Sequence, residues 1–139
     1  MEKLREMQIK LKAVKSIDLE FLYELLKQRE SKHNISHRRM PNYNQHVKFV
    51  NSKPYAFWYI IIENEERVGS VYLTTLNEIG VSLVKGKGLE EEVLKLIIKR
   101  HPRKRFFINI SPKNKKLELL IKKFGFKMIQ KTYEIDREN

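Results

Sequence analysis

NEIGVSLVKGKGLEEEVLKLIIKR, residues 77–100, decides the fold, because two secondary-structure periods meet inside it across a pair of glycines. Residues 78–84 carry β-branched and apolar side chains at most positions, the pattern of a short strand. Further on, Leu89, Val93, Leu96, Ile97 and Arg100 fall at helical spacing. Between the two lies Lys85-Gly86-Lys87-Gly88. A strand that turns through glycines into a helix aims unpaired backbone N–H groups at one point. The helix dipole adds to the attraction of that point for an anion. The turn reads as a phosphate site, set against the commoner case of a connection that binds nothing. It is not a Walker loop, since no Lys-Ser or Lys-Thr follows the glycines. Nor is it a dinucleotide fingerprint, since Glu91 stands where a third glycine belongs. Glu91 and Glu92 suit the first turn of a helix, and Glu91 is spaced to pair with Lys95. Glu90, nearest the turn, would repel a phosphate unless Lys85 and Lys87 offset it.

Working outward, 139 residues suit one domain with a hydrophobic core. The formal net charge of +12 and the sequence pI of about 9.9 point to anionic partners, nucleic acid and nucleotide-like cofactors among them. The lysines are spread through the helical stretches, not gathered in one tail, so the charge selects none of these. No RNA-recognition aromatic motif, helix-turn-helix signature or basic tail supports nucleic acid. The absence of cysteine excludes disulfides, thiolate metal sites and cysteine nucleophiles. With no apolar run of membrane-spanning length and no signal-peptide core, the expectation is a soluble, cytoplasmic protein.

Residues 7–13 alternate apolar and polar, a first strand. Ser16 is read as the cap of a helix over 17–29, and a second helix is expected over 43–51, ending before Pro54. Residues 30–42, ESKHNISHRRMPN, break the apolar pattern. YAFWYIII, residues 55–62, reads as a central strand, with 64–66 turning into a hairpin partner over 68–75. Residues 105–110 follow a crossover helix and are therefore expected parallel to 78–84. Ser111 and Pro112 open a last helix closed by Gly125, and residues 126–135 are expected to end the chain as one or two strands. The order β-α-α-β-β-β-α-β-α-β predicts a mixed, mostly antiparallel α/β sheet with helices on both faces.

This order, the Lys85-Gly86-Lys87-Gly88 turn, and Ser111-Pro112-Lys113-Asn114 followed by Gly125-Phe126 together resemble the GNAT superfamily of acyl-CoA-dependent N-acyltransferases. The turn is placed like the family's pyrophosphate loop, Arg/Gln-x-x-Gly-x-Gly/Ala. Within the superfamily, Asn34-Ile35-Ser36-His37, His46 and Pro54-Tyr55 with Trp58-Tyr59 are similar to bacterial enzymes that acetylate amino sugars. The sequence departs from the pattern in five places, the first being a short loop that lacks the several residues often found between strand and glycines after Val84. Lys85 replaces Arg or Gln, Glu90 replaces the last Gly or Ala, and Leu117 replaces a frequent serine. Ile121 falls where many relatives place a tyrosine that protonates the leaving thiolate.

The resemblance implies an acetyl-CoA-dependent N-acetyltransferase acting on a small primary amine, such as an amino sugar or its nucleotide conjugate. The pantetheine arm would lie along Gly80, Val81, Ser82 and Leu83. The pyrophosphate would sit on the N–H groups of Lys85, Gly86, Lys87, Gly88, Leu89 and Glu90, and Asn114 would touch the cofactor's arm or else order its helix. Glu78 is the candidate base, against an exposed strand-end charge. Tyr133 is the candidate acid in place of the missing tyrosine, against an ordinary strand residue. His37 and Arg38 would face the acceptor, against solvated loop positions. His46 and His101 read as helix-surface residues, Tyr72 and Trp58 as core, and no spacing suggests a metal. The alternatives are a GNAT-fold protein that binds acyl-CoA without turnover, and a basic nucleic-acid-binding module. The sequence leaves the acceptor and the oligomeric state open, a homodimer included.

Overall fold

The computed structural model describes residues 8–29 and 40–138. β1 (Ile9–Ala13) leads through a 3-10 turn (Ser16–Asp18) into α1 (Leu19–Gln28), followed by α2 (Tyr43–Asn51). β2 (Phe57–Glu63), β3 (Glu66–Leu73) and β4 (Glu78–Leu83) form a meander, and α3 (Glu90–Arg100), β5 (Phe107–Ile108) and α4 (Lys115–Lys123) complete the order. The strands lie in sequence order in one sheet, antiparallel except for the parallel β4–β5 pair that the crossover requires.

The apolar run of β2 follows from burial on both faces. Tyr59 and Ile61 face a core formed with Val71, Leu73 and Ile79 and closed by Leu94, Ile97 and Ile121 from α3 and α4. Ile60, with Trp58 and Ile62, faces the other way, onto Leu22 of α1 and Val50 of α2. The β2–β3 hairpin turns on Asn64 and Glu65, both at positive φ (50° and 68°), as a tight two-residue turn demands.

Four sequence expectations change, the first being the strand expected over 105–110, which forms only at Phe107–Ile108. Ser16 does not cap the first helix. It lies inside the 3-10 turn, and Asp18 accepts a hydrogen bond from the Lys15 backbone N–H (2.8 Å) and an ion pair from Arg67 (2.9 Å). Ser111 does not cap the last helix either, because Asn114 does, its Oδ1 accepting from the Leu117 N–H at 3.2 Å. Finally, residues 126–135 form no strand. Strand pairing needs a partner edge, and beyond Phe126 the segment stays exposed.

Candidate active site

β4 and β5 pair at only two positions, Glu78 with Phe107 and Ile79 with Ile108. Beyond Ile79 they are no longer paired. Antiparallel geometry fixes what β4 then offers. Its even-numbered residues exchange backbone bonds with β3, bracketed by Thr74 N–H to Glu78 C=O (2.9 Å) and Val84 N–H to Val68 C=O (2.8 Å). The backbone N–H and C=O groups of Val81 and Leu83 therefore point the other way, toward the side where β5 no longer pairs, here called the cleft. The Ser82 backbone does not, and this corrects its expected role: its peptide groups serve β3.

The cleft runs to the turn between β4 and α3. Gly86 holds φ at +90°, where a side chain would be strained, and Lys87 N–H closes the turn on Val84 C=O at 3.0 Å. Lys85 N–H donates to the Gln28 side chain at 3.5 Å. So two of the six backbone donors expected for a pyrophosphate are already engaged. The Lys87 ammonium is engaged too, 3.0 Å from the Glu63 carboxylate. Leu89 is fully buried and anchors the turn, so only its backbone can serve a ligand. What remains is the start of α3. No side chain among the described residues caps it, and its first-turn N–H groups have no intrahelical partners. Glu90 begins that turn, and Lys95 pairs with Glu91 at 3.6 Å. Asn114 is spent as the cap of α4 at its acceptor oxygen.

At the other end of β4, Glu78 is clamped. Its Oε1 accepts from Thr74 Oγ1 (3.2 Å) and its Oε2 from Asn109 Nδ2 (3.0 Å), so the chain leaving β3 and the chain leaving β5 both hold it. It shares the α1–α2 face of the sheet with Tyr72, whose ring pairs across to Gly80. Tyr72 stacks flat on Tyr55, centroids 3.8 Å apart and planes at 4°, and Tyr55 meets Trp58 edge to face at 4.8 Å. Burial pushes the Tyr72 phenol up. Arg29 and a hydrogen bond with Tyr55 pull it back, and Glu78 adds to the rise.

Tyr133 is not brought to this site: it lies in the unpaired C-terminal segment with 84% of its surface exposed. His37 and Arg38 lie outside the described residues. His46 and His101 are not surface residues but buried ones, at 4% and 9% exposure. His101 Nε2 meets the Tyr59 hydroxyl at 2.7 Å, and the alternation that puts Tyr59 on the Ile61 face was the signal for a polar partner there. Sequence reasoning missed Asn109 and Thr74, which no spacing singles out, and passed over Tyr72 as core. Among the described residues no cluster could hold a metal ion, and no helix is long and apolar enough to cross a membrane.

No family model and no curated protein matches the sequence. Solved structures do. A domain from Methanocaldococcus jannaschii superposes with a TM-score of 0.75 at 24% identity, over 91% of this chain and 92% of that one. The spermidine N-acetyltransferase SpeG from Vibrio cholerae, in complex with CoA and spermine, gives 0.69 at 15% identity over 86% and 80%. RimL, a ribosomal L7/L12 α-N-protein acetyltransferase in complex with coenzyme A, gives 0.63 at 17% over 84% and 78%. With the parted β4–β5 pair and the glycine turn in place, the chain has the fold of the GNAT N-acetyltransferases.

Proposed function

We propose that this protein is an acetyl-CoA-dependent N-acetyltransferase that acts on a primary amine. One observation carries the reading: β4 parts from β5 with the backbone groups of Val81 and Leu83 turned into the cleft, and the cleft ends at the uncapped start of α3. A pantetheine arm is a chain of amides, which a free strand edge can pair. A pyrophosphate is an anion, which a helix N-terminus favours. Catalysis is then largely positioning of the amine beside the thioester carbonyl. Glu78, held by Thr74 and Asn109 on the α1–α2 face, takes the proton from nitrogen as the C–N bond forms. Polyamines and peptide α-amines are the first acceptors to test, because the similar structures include enzymes named for them; an amino sugar is the third. The buried Ile121 favours a second reading, an acyl-CoA-binding protein without turnover, and amine-dependent release of thiol from acetyl-CoA decides against it.

Calorimetric titration with acetyl-CoA tests the site, with Gly88→Glu as the variant. A Cβ at Gly88 meets nothing within 4 Å, so the substitution starts into open space and brings a carboxylate to the turn. Wild type should bind, and the variant should lose about tenfold or more in affinity through charge repulsion at the helix start. Equal binding by both would move the donor away from this turn.

A further inference from the structure

The departing thiolate needs a proton, and the position where the GNAT resemblance puts an acidic tyrosine is Ile121, which is 8% exposed and packed in the core under the sheet. Tyr133 lies in the exposed C-terminal segment. We propose that Tyr72, on β3, is the acid: its phenolic O–H stands over Gly80 at the edge of the cleft and passes its proton to the CoA sulfur. The inference rests on the acetyl-CoA reading above and assigns a residue to a step that the reading leaves unfilled.

Three observations place the phenol there. Tyr72 is directly opposite Gly80 in the β3–β4 register. A Cβ built on Gly80 would overlap Cζ, Cε2 and the hydroxyl oxygen of Tyr72, so the tip of the phenol occupies the place a side chain would take on β4. Gly80 immediately precedes Val81, the first residue whose backbone groups turn into the cleft. The absence of a side chain at position 80 is thus what lets a hydroxyl from β3 reach the strand edge.

The ring is also fixed in direction. It stacks on Tyr55, which meets Trp58 edge to face, and Trp58 in turn meets Phe49 of α2 with centroids 6.2 Å apart. Among the described residues, the charged and titratable groups that act on the hydroxyl are Arg29, just past the end of α1, Glu78 on β4, and Tyr55. Desolvation dominates among them, so the phenol keeps its proton at neutral pH, which is the state an acid must start from.

The protons and electrons balance. The amine lone pair forms the C–N bond, and the nitrogen's proton goes to Glu78. The C–S bond breaks with its electron pair on sulfur, and the Tyr72 proton goes to that sulfur. The proton on Glu78, which lies two residues from Gly80 on the same face, restores the phenol. One proton has moved from nitrogen to sulfur, as acyl transfer from a thioester to an amine requires.

The test needs no acceptor. The thiol of free CoA, bound to wild type and to Tyr72→Phe, is titrated by the ultraviolet absorbance of its thiolate, with calorimetry confirming that each protein binds CoA. A phenol that donates to the sulfur stabilises the thiolate, so the bound thiol should titrate about one pH unit lower in wild type than in Tyr72→Phe. Tyr72→Phe keeps the stack, so a purely packing role predicts the same titration in both proteins, and that result overturns the assignment. Should Tyr72→Phe not fold, Gly80→Ala displaces the phenol while leaving it intact and should give the same upward shift; no shift there overturns the assignment equally. A folded wild type that binds no CoA overturns the donor reading, and this inference with it.

Discussion

Glu78 differs from an exposed strand-end charge in having both carboxylate oxygens held, one by Thr74 and one by Asn109. That arrangement costs side-chain entropy and fixes direction, which a general base needs and a solvated charge does not. Glu78→Gln should lower turnover about 100-fold with an accepted amine, while affinity for acetyl-CoA changes less than about twofold. Steady-state kinetics beside calorimetry separates the two, and an equal loss in both would mark Glu78 as a scaffold residue. Its candidacy comes from the GNAT resemblance, which places a glutamate near the start of this strand, and not from any local pattern. Its clamp was not legible, because Asn109 is brought beside it only when β5 docks parallel to β4. Lys87 shows the converse. Its place in the turn suggested a cation for phosphate, but Glu63, distant in sequence, already neutralises it. A Lys87→Met variant should therefore weaken acetyl-CoA binding less than Gly88→Glu does, as calorimetry would read.

The strand–turn–helix unit was legible because its two periods are strong and glycines mark the junction. Helix α2 keeps the bounds expected from the stop at Pro54, but its start rests on a reciprocal capping box that was not read from the sequence, Gln45 N–H to Asn42 Oδ1 at 2.8 Å and Asn42 N–H to Gln45 Oε1 at 2.9 Å. The close of α4 was legible from Gly125, which sits at φ +98° as Gly125 N–H bonds Lys122 C=O (3.0 Å) and Phe126 N–H bonds Ile121 C=O (3.1 Å). A Cβ there meets nothing within 4 Å, so Gly125→Ala measures backbone strain alone and should cost about 1–2 kcal/mol in chemical denaturation. A cost near zero would mean the helix end relaxes into another cap. The segment after Phe126 misled for a physical reason. Pairing depends on an edge elsewhere, and no local pattern encodes that edge.

Buried imidazoles in both layers tie the stability of the molecule to pH. His46 lies between α1 and α2 beside the rings of Tyr23 and Tyr43, its Nε2 buried and without a hydrogen-bond partner among the described residues. His101 closes α3 against Tyr59 and Phe57, near Arg100 and Arg103. Burial is the largest cause lowering each pKa. The two arginines lower His101 further, while a hydrogen bond with the Leu19 backbone partly restores His46. The unfolded imidazoles take up protons as pH falls through the ordinary value of 6.5, and the folded ones resist until lower pH. Below 6.5 the unfolded chain therefore binds more protons, so stability rises with pH and is lost on acidification. The melting temperature should be higher at about pH 7.5 than at about pH 5. A His46→Leu, His101→Phe double variant should show a shallower fall across that interval, whatever its stability at the upper end. An unchanged slope would assign the acid sensitivity to other groups. Neither histidine could be read this way from spacing, because what buries them is helix packing in one layer and a β2 tyrosine in the other.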